Sequence, residues 1–105
     1  NTSSVTNLRS TFYRATSFTG AGVSDWDTSR VTGLYRTFDR ATSLTGNNLV
    51  NWDTSSVTSL ELAFYGATSF TGDDLSNWDT SNVEVLKGTF ANCLSFNGDL
   101  SRWST

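Results

Sequence analysis

The side chains in this sequence that could do chemistry recur at fixed intervals. Asp27, Asp53 and Asp79 each follow a tryptophan and precede Thr-Ser. A row of carboxylates suits either a hard cation such as calcium or the N–H groups of a turn. The turn is the simpler reading, and no metal site is assigned. A second set joins guanidinium to phenol: Arg9, Tyr13, Arg14, Tyr35, Arg36, Arg40 and Tyr65. Tyrosine and arginine are enriched at binding hot spots, so these seven residues form the candidate ligand-binding surface. Hydroxyls recur too, in columns such as Thr2, Thr28, Thr54 and Thr80 or Thr16, Thr42 and Thr68. Such columns could face an ordered ligand, but hydroxyls in turns more often satisfy backbone groups. Further carboxylates, Asp73, Asp74 and Asp99, fall in loops after glycine, and Asn1 opens the only Asn-x-Ser/Thr acceptor, a glycosylation candidate.

The composition removes most catalytic chemistry. The chain has 105 residues and no histidine, which excludes His-based triads and general bases. The single cysteine, Cys93, can form no intrachain disulfide and has no histidine to activate it. It stands in a column with Ala15, Ala41 and Ala67, as a small core residue would. No catalytic residue and no cofactor is assigned, and the chain is expected not to be an enzyme. Ten acidic side chains against seven basic give a net charge of −3, so nucleic acid is not an expected partner. No apolar run approaches the roughly 20 residues of a membrane span.

These residues are positioned by a repeat. Trp26, Trp52, Trp78 and Trp103 mark four copies, 1–26, 27–52, 53–78 and 79–103, in a single unit. Aligned, they give apolar columns headed by Val5, Leu8, Phe12, Ala15, Phe18, Val23 and Trp26. The 3-4-3 spacing from Val5 to Ala15 predicts one face of a short helix. Glycine at 20, 46, 72 and 98 then turns the chain, and Leu75-Ser-Asn-Trp78 predicts a short parallel strand. The expected fold class is therefore an α/β repeat: a leucine-rich-repeat-like solenoid with one short helix and one short strand per 25–26-residue coil, stacked into a common core. The candidate ligand residues would lie on the exposed helix face.

The segment from Ala67 to Val83, ATSFTGDDLSNWDTSNV, resembles the BspA-like leucine-rich repeats of bacterial, mycoplasmal and protist surface proteins, and the likeness runs through every copy. Leu8 and its equivalents stand where that family often has methionine. The resemblance implies a cell-surface or extracellular location, adhesion or display, and no catalysis. Both ends of the array look uncapped, which predicts self-assembly through Val5, Leu8, Leu86, Phe90, Phe96 and Trp103. The leading expectation is thus a non-enzymatic structural repeat protein, a segment or protomer of a longer rod or head-to-tail fibril. Its partners would be further repeats or copies of itself, with covalent glycans as an addition. The alternative is an adhesin that binds a host protein or glycan through the Arg and Tyr residues.

Overall fold

The computed structural model describes residues 4–45, 49–72, 75–76 and 78–96. The predicted α/β solenoid is not what forms. The described residues contain no helix, and their only strand-type pairing is a set of isolated parallel bridges, Asn7 to Gly33, Gly33 to Ser59 and Ser59 to Val85. The body measures 30 × 29 × 20 Å and is built almost wholly of turns.

The helix fails for a reason visible in the backbone. Ser10, Arg14, Arg36, Arg40, Leu62 and Asn92 all have φ between 54° and 60°, and Gly66 and Gly88 complete the same two columns at 68° and 64°. A left-handed residue at every fourth position ends each helical turn as it begins. What results is a run of tight turns: Thr11 N–H donates to Leu8 O, Tyr13 to Ser10 O and Ala15 to Phe12 O, at 3.0–3.2 Å. The intervening N–H groups point to the next repeat. Leu8, Ser10, Phe12 and Arg14 donate to the carbonyls of Gly33, Tyr35, Thr37 and Asp39, and the two following interfaces repeat the pattern. An eight-residue segment such as Leu8–Ala15, with Ser, Thr and two aromatic residues, is a marginal helix in water. Giving alternate N–H groups to a neighbour satisfies them equally well. The 3-4-3 spacing of apolar residues is thus produced by linked turns.

The predicted strand is also a turn. Trp26, Trp52 and Trp78 donate their N–H groups to Val23, Leu49 and Leu75 at 3.1 Å. This turn aims each indole inward, where Trp52 Nε1 donates to Val23 O at 2.9 Å and Trp78 Nε1 to Leu49 O at 3.1 Å in the preceding repeat. The indole polar atom is thereby satisfied inside the core, as a buried tryptophan requires.

Like side chains do lie over like. The rings of Trp26, Trp52 and Trp78 stack at 6.4 Å between neighbours, and those of Phe12, Phe38, Phe64 and Phe90 at 5.3–5.7 Å. Val31, Leu34, Phe38, Ala41, Leu44 and Leu49 of the second repeat, with Val57, Leu60, Phe64, Ala67, Phe70 and Leu75 of the third, are almost fully buried. The outer repeats are less covered. Val5, Phe12, Phe18 and Trp26 at one side, and Val83, Leu86, Phe90 and Phe96 at the other, are only partly buried. Of the predicted assembly residues, Leu8 belongs to the core at 6% exposure. Trp103 lies outside the described residues.

Candidate functional site

The turn pair over residues 8–15 and its equivalents carries the arginines and tyrosines. It is a stacked set of turns, not the helix face the sequence predicts, and it brings all seven candidate residues together. The Arg9 guanidinium lies 4.8 Å from the centre of the Tyr35 ring, and that of Arg14 lies 5.2 Å from Tyr13. Arg36 spans two repeats, 5.7 Å from Tyr13 and 5.5 Å from Tyr35. Arg40 lies 5.3 Å from Tyr65, and its Nη1 donates to the Tyr13 hydroxyl at 3.5 Å. Each contact of this kind contributes about 0.5–1 kcal/mol at an exposed site. Together they hold four guanidiniums against three tyrosine rings. Left-handed φ values at Arg14, Arg36 and Arg40 set the directions in which those side chains leave the backbone.

Beneath the arginines lies Asp39, a residue the sequence gives no reason to place inside. It is 1% exposed, and its Oδ2 sits 3.5 Å from Arg36 Nε. Oδ1 has no hydrogen-bond partner. Burial raises the Asp39 carboxyl above the ordinary carboxylate range, and the guanidiniums of Arg40, Arg36 and Arg14 oppose that rise. The only sequence clue is its column, which it shares with Tyr13 and Tyr65, and its position between Arg36 and Arg40.

The aspartate row has a structural task. Asp27, Asp53 and Asp79 accept the N–H and hydroxyl of Ser29, Ser55 and Ser81 on one carboxylate oxygen, at 2.6–3.1 Å. The Ser29 hydroxyl and then its N–H hold the Asp27 carboxyl below the usual range, and Ser81 does the same for Asp79. No cluster of three or more metal-binding side chains occurs among the described residues. In the threonine column beside this row, Thr28, Thr54 and Thr80 are buried, and Thr2 lies outside the described residues. Thr28 and Thr54 donate their hydroxyls to the carbonyls of Asp53 and Asp79, at 3.2 Å, and accept the N–H of the same residue at 2.9 Å. The column therefore joins repeats and presents nothing to a ligand. Outside it, the hydroxyls of Thr32, Thr58 and Thr71 donate to Thr6, Thr32 and Thr45 in the preceding repeat. Cys93 is half-buried, donates to Phe64 O at 2.8 Å, and has its thiol pushed up by burial, the opposite of what a nucleophile needs. Asn1, Asp73, Asp74 and Asp99 lie outside the described residues.

Four tandem copies joined repeat to repeat by backbone bonds, with one variable polar face, define a tandem-repeat protein of the kind found in surface-repeat families. The chain belongs to the family described as "Mycoplasma protein of unknown function, DUF285", whose model matches residues 1–103. No curated protein and no solved structure matches it. No helix among the described residues is long and apolar enough to cross a membrane.

Proposed function

We propose that this chain is a non-enzymatic structural repeat unit displayed at the cell surface, which continues into a rod or fibril by adding layers at its two sides. One observation carries the reading: among the described residues, most of the backbone acceptors and donors that make the internal junctions reappear without such a partner at the outer sides. Each internal junction joins N–H groups of one repeat to carbonyls of the next. Among the described residues, the carbonyls of Asn7, Arg9, Thr11 and Tyr13 and the N–H groups of Leu86, Gly88 and Asn92 have no such partner. Partly buried apolar side chains, Val5 and Phe12 at one side and Leu86 and Phe96 at the other, accompany these edges. An open row of backbone groups beside apolar surface is a template for adding another layer. The added layer is either a further repeat of the same polypeptide or a second copy, and a contact between two different faces propagates instead of closing. Membership of a surface-repeat family and the resemblance to BspA-like repeats support the location.

Sedimentation and electron microscopy of the 105-residue chain over a wide concentration range test this. The expected result is concentration-dependent rods whose growth stops in the Val5→Lys/Leu86→Lys variant while its tryptophan fluorescence stays native. A chain that remains a monodisperse monomer at all concentrations would overturn the proposal.

A further inference from the structure

We propose that the arginine and tyrosine face is a binding site for an acidic polysaccharide, one carrying a sulfate or carboxylate on successive sugars. The ring contacts define what the face can recognise. Each of the three tyrosine rings has a guanidinium over it, and Tyr13 and Tyr35 each have two. Sequence-tolerant binding of single-stranded nucleic acid uses open aromatic faces as platforms, and here each ring already carries at least one guanidinium. Arg9 and Arg14 are exposed and Arg36 and Arg40 partly so; Arg36 Nε faces Asp39 and Arg40 Nη1 is taken by the Tyr13 hydroxyl, which leaves the other guanidinium N–H groups of this face for a ligand. The guanidinium fork matches planar or tetrahedral oxyanions and forms two parallel hydrogen bonds to them.

Spacing selects among polyanions. Arg14 and Arg40 occupy one column, and Arg36 and Arg40 extend the cationic surface between the first and third repeats. Neighbouring backbones joined in this way lie about 4.8 Å apart, so the backbones that carry the Arg14 and Arg40 pair are set at that interval, with Arg36 beside them. Acidic side chains on one face of an extended peptide recur only every ~6.6 Å. A polymer with an acid group on each successive unit meets the closer spacing better. The positive face stands on a chain whose net charge is −3, so attraction is confined to this patch and steers the polyanion onto it.

The test uses the full chain and titrates a heparin oligosaccharide by calorimetry at low and physiological salt. The expected result is saturable binding that weakens as salt rises and falls at least tenfold in Arg14→Gln/Arg36→Gln/Arg40→Gln. In Arg36→Lys/Arg40→Lys the charge is kept and the fork is lost, and an intermediate loss is expected. Arg30→Gln serves as the control, because Arg30 makes none of the ring contacts, and it should bind as the parent does. A cooperative thermal transition and native tryptophan fluorescence show that each variant folds, at a midpoint lowered by the ring contacts it loses. No binding at low salt, an equal loss in Arg30→Gln, or tighter binding of poly-glutamate or single-stranded DNA would each overturn the proposal.

Discussion

Thr54 illustrates how much one small side chain does between repeats. Its hydroxyl takes the Asp79 N–H and returns a hydrogen to the Asp79 carbonyl, standing in for a pair of backbone bonds. Thr54→Val keeps the shape and leaves both groups of Asp79 without that partner. A loss of about 1–3 kcal/mol is expected from stranding them, read as a lower urea midpoint at unchanged slope. The carboxylates make opposite predictions with pH. Asp27 and Asp79 are shifted down, so they contribute stability above the unfolded carboxylate value of about 3.9 and lose it as pH falls through their folded values. Asp39 is shifted up, so its folded form holds a proton that the unfolded chain has released, and stability falls as pH rises through that interval. Urea midpoints from pH 3 to 7 check both. Relative to Asp39→Asn, the parent should become less stable as pH rises above about 4. Relative to Asp79→Asn, it should lose its advantage as pH falls below about 4.

At the scale of the element, the controlling feature is the turn with a left-handed residue. Gly72, with φ at 80°, turns the chain where the Phe96 ring of the next repeat passes over it. A Cβ added there would stand 2.1 Å from Phe96 Cε1, an overlap that the ring or the backbone must relieve. Gly72→Ala should therefore cost roughly 2 kcal/mol or more, from the left-handed conformation together with overpacking. Its effect should be visible as a lowered thermal midpoint. Gly88 shows the milder case, since a Cβ there meets Leu62 Cδ2 at 2.7 Å, the movable end of a flexible side chain. A smaller loss in Gly88→Ala than in Gly72→Ala is the corresponding expectation.

For the whole molecule, stability depends on how many neighbours a layer has. Phe64 stacks on Phe38 at 5.3 Å and Phe90 at 5.7 Å, with Phe70 at 4.3 Å within its own repeat, and it is fully buried. Phe12 has the same kind of partner within its own repeat, Phe18 at 4.0 Å, but a neighbouring-repeat ring on one side only, Phe38 at 5.6 Å, and remains partly exposed. Phe64→Ala is expected to cost about 3–5 kcal/mol, and Phe12→Ala distinctly less. Denaturant unfolding of the two variants decides this. Equal losses would mean that the outer repeat is as well supported as an inner one, contrary to the nearest-neighbour behaviour of stacked repeats.

The period, the four copies and the residues that meet across them are legible in the sequence because a repeated apolar pattern can be buried only by stacking equal positions. The grouping of Arg9, Tyr13, Arg14, Tyr35, Arg36, Arg40 and Tyr65 on one face follows from the same columns. The backbone conformation does not follow from them. A spacing of three, four and three fits one face of a helix and also a chain of turns, and the choice rests on where alternate N–H groups find acceptors. Leu8, Ser10, Phe12 and Arg14 find theirs in the next repeat, a partner that local sequence cannot supply. Asp39 was placed by the same contacts: only with Arg36 beside it and repeats on both sides does a carboxylate on a polar face become a buried one. The sequence by itself determined which residues share a column, and the tertiary structure decided what the backbone between them does, because its hydrogen bonds are made between repeats.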